Sequence, residues 1–382
     1  MTSTFHVPTQ IISGPGSFDE IPGECARRGV KKLLLVTDPG MNGTGLPEVA
    51  AGKLLDAGLE VAVFDAVQSD PSIANARDVA ARIVEYGAQA VMGFGGGSPI
   101  DAAKSGALLA THKGELKDYA GVGKVPGPML PVIAVPTTAG TGSEVTIFAV
   151  MSDPDNDQKF TISSPFIAPT LAVLEPKFTV GLPPALTAAT GMDALTHAVE
   201  AVGSNIAQSS TDALATKAAG MIFDALPKAV WNGTCLKARG TMIEAACIAG
   251  MAFNNTYLGL CHAIASPLGG IFHVPHGLAN AVMLRYVMEY NAPSAFPQYA
   301  AMAVSCGLAA PGDHPRDAAR KLIEAVERLC RDINVPARLR DVGATEDKLH
   351  LVAEDALKSV QLRFSPRPAT VQQIHELLKL AF

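Results

Sequence analysis

AVMGFGGGSPIDAAK, residues 90–104, is the stretch whose reading decides the fold. Its first five residues form a short apolar run of the kind that fills a buried strand. Gly95, Gly96 and Gly97 then turn the chain, and from Pro99 onward the spacing is helical. A strand that passes through glycines straight into a helix is half of a βαβ unit. Working back, KKLLLVT at 31–37 reads as a strand closing at Asp38-Pro39-Gly40, and LEVAVFD at 59–65 as another. The segment between them, 46–58, is helix-like, and 73–86 has helical periodicity. Working forward, PVIAVP at 131–136 is a fourth strand. The repetition predicts an α/β domain whose mostly parallel sheet is covered on both faces.

The texture changes at GLPP, residues 181–184. Beyond it the chain is rich in Ala and Leu, with few β-branched runs, and Pro184 suits the first turn of a helix. The expectation is an α/β N-terminal domain over 1–182 and an all-α C-terminal domain over 183–382, with no internal repeat. The whole chain has 382 residues, of which 48% are hydrophobic and 17% charged, enough apolar material for large cores and too much for a disordered chain. A net charge of −6 without a basic run argues against nucleic acid or an anionic membrane as partner. No charged head precedes an apolar stretch at the start, and the apolar runs are too short to span a bilayer. Six scattered cysteines without a C-x-x-C pair suit a reducing, cytoplasmic setting and read as small buried hydrophobes.

The chemistry concentrates in two segments. In TAATGMDALTHAVEA, 187–201, Asp193 and His197 are four apart and so share one face of a helix. Their neighbours are apolar, and a buried carboxylate without a partner costs on the order of several kcal/mol. A metal ion shared with His197 would satisfy it; the plainer alternative is an Asp–His hydrogen bond. The second segment, NTYLGLCHAIASPLGGIFHVPHGLAN at 255–280, holds three of the nine histidines: His262, His273 and His276. His262 sits in an apolar helix that Gly269-Gly270 is expected to end, and Pro275-His276-Gly277 opens the next helix. Two histidines on adjoining helices plus the Asp/His pair make a mixed oxygen–nitrogen set suited to Fe²⁺ or Zn²⁺.

Two loops suit a dinucleotide. Glycines at the 95–98 turn let backbone N–H groups approach a pyrophosphate, whose charge the helix N-terminus favours. The third glycine of the usual fingerprint is replaced by Ser98, and a purely structural turn is the alternative. The hydroxyl-rich loop PTTAGTGSEVT, 136–146, follows a strand and would suit phosphate or ribose contacts, or else simply cap a helix. Asp38, ending a strand, would accept from an adenosine ribose and repel a 2′-phosphate, favouring NAD over NADP; the alternative is a turn residue.

With these motifs assembled, the chain resembles the iron-containing (group III) alcohol dehydrogenases, the family of lactaldehyde, 1,3-propanediol and iron-type ethanol dehydrogenases, over nearly its whole length. The resemblance implies a dehydroquinate synthase-like architecture and hydride transfer between NAD(H) and a small primary alcohol or aldehyde. It implies metal ligands at Asp193, His197, His262 and His276. It implies cofactor contacts at Asp38, Gly95, Gly96, Gly97, Ser98, Pro99, Asp101, Thr137, Thr138, Thr146, Lys159 and Leu182, a cleft between the domains, and a homodimer. In many relatives a second histidine stands four residues beyond the first ligand of the His262 helix and relays the substrate proton. Here that position is Ser266, which makes His273 the replacement to consider as a catalytic residue. Asp70-Pro-Ser72 stands where relatives often have Asn-Pro-Thr. Tyr257, Cys261, Phe148, Phe253 and Phe272 suggest an apolar pocket for a short chain. The competing expectation is a metal- and NAD-dependent lyase or cyclase of the dehydroquinate synthase type, disfavoured because the ligand segments hold almost no Lys or Arg for a charged substrate.

Overall fold

A computed structural model describes residues 4–154 and 158–382. The chain divides into two compact units. One comprises 7–138, 142–154 and 158–179; the other comprises 180–382 with the short segments 4–6 and 139–141.

The first unit is built on nine strands: β1 (Gln10–Ser13), β2 (Lys32–Val36), β3 (Glu60–Phe64), β4 (Ala90–Gly95), β5 (Gly121–Val122), β6 (Val132–Pro136), β7 (Phe148–Asp153), β8 (Gln158–Ser163) and β9 (Leu171–Leu174). Six of them form one sheet in the order β1-β9-β6-β4-β2-β3, every neighbouring pair parallel. The helices are α1 (Ile21–Arg27), α2 (Pro39–Asn42), α3 (Leu46–Asp56), α4 (Ile73–Tyr86) and α5 (Gly97–Thr111). Alternation along the strands sends successive side chains to opposite faces. Leu33 and Leu35 of β2 join Ile21, Cys25, Ala50 and Leu54 of α1 and α3 in one core. Leu34 and Val36 join Val79, Ile83, Ala103 and Ala107 of α4 and α5 in another. The four strands read from the sequence are β2, β3, β4 and β6. A second sheet, β5-β8-β7, contains an antiparallel β7–β8 pair and closes a smaller core with Leu108, Leu116, Met151 and Ile162.

The strand order creates a natural ligand crevice. From β2 the chain moves to β3 on one side; from β4 it moves to β6 on the other. The carboxyl ends of β2 and β4 therefore flank a topological switch point, where an open α/β sheet leaves room for a ligand.

The second unit is helical: α6 (Pro184–Gly203), α7 (Ser209–Trp231), α8 (Leu236–Thr256), α9 (Leu260–Phe272), α10 (His276–Ser305), α11 (Pro315–Asp332), α12 (Leu349–Ala356) and α13 (Val371–Ala381). Helix α6 packs against α7, α8 and α10 and is buried almost throughout from Thr187 to Gly203. Gly269 and Gly270 do not end α9. They lie in its last turns, the Gly269 carbonyl accepts from His273 N (3.0 Å), and His273 itself, at φ 57°, makes the left-handed cap. The αL position that ends this helix is taken by an imidazole residue instead of a glycine. Among the described residues no helix is long and apolar enough to cross a membrane.

Candidate metal and cofactor sites

In the helical unit, α6 carries Asp193 and His197 one turn apart on its buried face, α9 carries His262 in its first turn, and His276 is the first residue of α10. A donor atom from each of Asp193, His262 and His276 lies within 4.8 Å of the others. Asp193 Oδ1 is 3.6 Å from His262 Nε2 and 3.8 Å from His276 Nε2, and Asp193 Oδ2 is 3.9 Å from His197 Nε2. The His197 ring stacks on His262 at 4.7 Å and packs against Phe253 at 4.3 Å, beside the three-residue cluster. These separations are too long for hydrogen bonds but close to the ~3.4 Å between two ligands of a tetrahedral ion bound at about 2.1 Å. His262 Nε2 and His197 Nδ1 are buried with no hydrogen-bond partner. A buried imidazole nitrogen left unpaired beside a carboxylate needs a partner, and this oxygen–nitrogen donor set fits a divalent cation.

Asp193 is held as a carboxylate and His197 as a neutral imidazole, the charge states of ligands, whereas His262 between two carboxylates would have to give up a proton to bind an ion. Burial would raise the Asp193 carboxyl, but His197, His262 and His276 together outweigh it and hold it well below the usual carboxylate range. Burial lowers His197 to about 4 against the pull of Asp193. Burial also works against a charged His262, but the carboxylates of Glu200 and Asp193 on either side prevail and raise it to about 9.

Two residues not singled out in the sequence complete the shell. Glu200 Oε2 lies 2.6 Å from His262 Nδ1, and Asn280 Nδ2 donates to Asp193 Oδ1 at 2.8 Å. The signal for both is spacing: Glu200 is seven residues after Asp193 and three after His197 on one helix face, and Asn280 is one turn after His276. His273 is exposed. Ser266 turns its hydroxyl back to the His262 carbonyl (3.2 Å).

In the first unit, several of the residues expected at a dinucleotide converge at the switch point. Asp38 follows β2 and caps α2, accepting from Met41 N at 2.9 Å. Gly95 has φ 151°, and a Cβ there would lie 2.6 Å from Pro99 Cγ and 3.4 Å from Asp38 Oδ2, so only glycine fits this turn. Helix α5 then starts at Gly97 with no side chain capping it, leaving its first N–H groups for an anion. Thr137 N donates to the Gly95 carbonyl (2.9 Å), its hydroxyl is buried without a partner, and Thr138 Oγ1 stands 3.5 Å from where a Gly96 Cβ would be. Ser98 donates to the Ser69 carbonyl.

The other expected contacts are engaged elsewhere. Asp101 accepts from Ser143 Oγ (2.5 Å) and Val150 N (3.0 Å). Thr146 accepts from Lys104 through both its carbonyl and its hydroxyl. Lys159 on β8 pairs with Asp70 at 2.6 Å. Leu182 belongs to the helical unit, where its carbonyl accepts from the buried Arg239 guanidinium at 3.1 Å. Lys104 is visible in the sequence only as the last residue of the glycine-turn motif. It is fully buried and also donates to Ser143 Oγ (2.9 Å) and the Phe148 carbonyl (2.7 Å), which ties α5 to the 143–148 segment.

A parallel sheet with an open switch point, and a helical unit gathering a carboxylate and imidazoles, together have the parts of a metal- and dinucleotide-dependent oxidoreductase. Residues 8–176 match the iron-containing alcohol dehydrogenase family model, and residues 187–382 match the C-terminal model of the Fe-containing alcohol dehydrogenase family. The chain belongs to the iron-containing alcohol dehydrogenase family. It is 42% identical over 378 residues to the 1,3-propanediol dehydrogenase of Klebsiella pneumoniae, covering 98% of each chain. It is 38% identical to the NAD-dependent methanol dehydrogenase of Bacillus methanolicus, over 99% of this chain and all of that one. Among solved structures, a 1,3-propanediol oxidoreductase superposes with a TM-score of 0.97 at 41% identity, and an alcohol dehydrogenase from Oenococcus oeni with 0.96 at 34%; both cover 100% of each chain. The expectation of an alcohol dehydrogenase is met, and the lyase or cyclase alternative is not favoured.

Proposed function

We infer that the protein is an NAD-linked, iron-dependent alcohol dehydrogenase that interconverts a short primary alcohol and its aldehyde. The observation that carries this reading is the gathering of Asp193, His262 and His276 donor atoms within 4.8 Å, with a buried, unpartnered His262 nitrogen among them. Asp193, His197, His262 and His276 would hold the ion. When bound, a divalent ion supplies Lewis acidity toward the alcohol or aldehyde oxygen. The chain's own part is to hold Asp193, His197 and His262 buried, with His276 half exposed at the start of α10, and to hold the dinucleotide at the switch point. The α5 N-terminus would receive the pyrophosphate, and Asp38 the adenosine ribose. Thr137 and Thr138 would contribute hydroxyls, and Asp101, Thr146 and Lys159 are proposed to complete the cofactor site of this unit once they exchange their present partners. His273, exposed on the α9–α10 turn, is the residue proposed to exchange the substrate proton with solvent in place of the histidine that many relatives carry where this chain has Ser266. A homodimer in the cytoplasm completes the proposal.

The test is Asp193→Ala. The variant should lose stoichiometric metal and all NADH formation from a panel of small alcohols, while NAD binding followed by nicotinamide fluorescence quenching or calorimetry stays within about twofold of the parent. Normal turnover by the metal-free variant would end this reading.

A further inference from the structure

One carboxylate in the helical unit makes three hydrogen bonds, all to the start of α9. Glu200, near the end of α6, is buried, its side chain 5% exposed. Its Oε1 accepts from Cys261 N (2.6 Å), and its Oε2 accepts from Gly259 N (3.0 Å) and lies 2.6 Å from His262 Nδ1. Gly259 is the N-cap of α9 and has no capping side chain of its own. Glu200 therefore caps α9 from a neighbouring helix, where a negative charge is also favoured by the helix dipole. One of the two oxygens, Oε2, also fixes the imidazole that projects from that first turn. A carboxylate already taking two backbone N–H groups is an acceptor, so the proton it shares with His262 belongs to Nδ1. Nε2 is then the nitrogen that faces Asp193 Oδ1, 3.6 Å away, and it is buried without a hydrogen-bond partner.

We propose that Glu200 is a positioning residue: it holds His262 in the orientation and tautomer of an Nε2 ligand, and so sets how tightly the centre binds its divalent ion. The proposal rests on the metal-site reading. Glu200 touches neither the ion nor the substrate; it acts through His262 and through the backbone turn that carries it. A carboxylate behind a ligating histidine also raises the ligand's basicity, and loss of such a partner weakens metal binding by roughly 10–100-fold in general.

The experiment is a Zn²⁺ titration of the apoprotein against a chromophoric chelator, with NAD affinity and the apoprotein melting curve recorded in parallel. Glu200→Gln keeps size but has one acceptor oxygen where three donors converge, and Zn²⁺ affinity should fall about 10–100-fold with NAD affinity unchanged. Glu200→Asp keeps the charge but withdraws it by a methylene, and should fall between parent and Glu200→Gln; it reads the same quantity should Glu200→Gln not fold. In a His262→Ala background, Glu200→Gln should change Zn²⁺ affinity less than twofold further, because the residue through which it acts is gone. A lower melting temperature with Zn²⁺ affinity intact would reduce Glu200 to a helix cap and overturn the proposal, as would equal, additive losses with and without His262. Failure of the parent protein itself to take up Zn²⁺ would instead strike at the metal-site reading.

Discussion

The side-chain amide of Asn280 donates to Asp193 Oδ1 at 2.8 Å, and the same nitrogen lies 3.2 Å from His276 Nε2. Asn280 is fully buried one turn into α10, so a single side chain braces the carboxylate of α6 against the imidazole that opens α10. Asn280→Ala should therefore cost about 1–3 kcal/mol, the usual consequence of leaving a buried charged acceptor short of a donor. The loss should be larger in the apoprotein than in the Zn²⁺-loaded protein, where the ion gives Asp193 another partner. Paired melting curves of the two forms check this, and equal losses in both would contradict it.

Gly277 sets the distance between the same two helices. A Cβ at this position would lie 2.5 Å from the Ala189 carbonyl oxygen and 3.4 Å from Asp193 Cβ. The obstacle is backbone, which cannot swing aside as a side chain can. Gly277→Ala should push the first turn of α10 off α6, at a cost on the order of 1–3 kcal/mol, and carry His276 away from Asp193. Zn²⁺ affinity should drop by at least about tenfold while NAD affinity holds. An unchanged metal titration would mean that the helices tolerate the extra atom.

What could be read in the sequence, and what could not, divides along chain distance. The strands β2, β4 and β6 neighbour one another in the sheet, and each of them, like α5, carries a local pattern long enough to be read by itself. β1 and β9 pair with each other across the length of the unit, Gln10 opposite Leu171, and each is only four residues long, too short for a periodicity to register. The β7–β8 pair escapes a reading of the sequence because β8 is largely exposed along its first four residues and breaks the apolar pattern of a buried strand. At the metal centre, the ligands announce themselves as residue types rare on apolar helices. Glu200 and Asn280 do not, because a residue that supports a ligand is defined by which neighbour it meets and not by its own chemistry. His273 draws attention by its residue type, but its left-handed backbone at the end of α9 and its exposure could not be read from that type.

Asp38 serves two demands that a substitution can separate. As the N-cap of α2 it accepts from Met41 N, and as a carboxylate beside Gly95 it would, in the proposed cofactor site, repel a ribose 2′-phosphate. Serine caps helices as well as aspartate does, so Asp38→Ser should retain the fold while removing the charge. The ratio of kcat/KM for NADP to that for NAD should rise by about tenfold, the worth of roughly 1.4 kcal/mol between charges a few ångström apart at a solvated site. Steady-state kinetics with both cofactors decides it. A ratio that stays put would remove Asp38 from the account of cofactor choice.

Glu144 gives a stability dependence on pH whose sign is unusual for a carboxylate. Burial raises it from 4.5 to about 7, against the pull of its own backbone N–H and the charge of Lys104. Lys104, itself lowered to about 8 by burial, has Asp101 as a nearer counter-charge at 3.7 Å, so it does not depend on Glu144 alone. Between pH 4.5 and 7 the folded protein holds a proton on Glu144 that the unfolded chain has released. Folding is thus favoured below this window, and the contribution is lost as pH rises through it. Glu144→Gln removes the titration, so the variant should match the parent near pH 4.5 and surpass it above pH 7. The gain should be roughly 1–3 kcal/mol, or a few degrees in melting temperature. Melting curves of both proteins at about pH 5 and about pH 8, either side of the window, test the sign directly. A variant that is the less stable of the two on the alkaline side would show that Lys104 needs the Glu144 charge more than the fold gains by losing it.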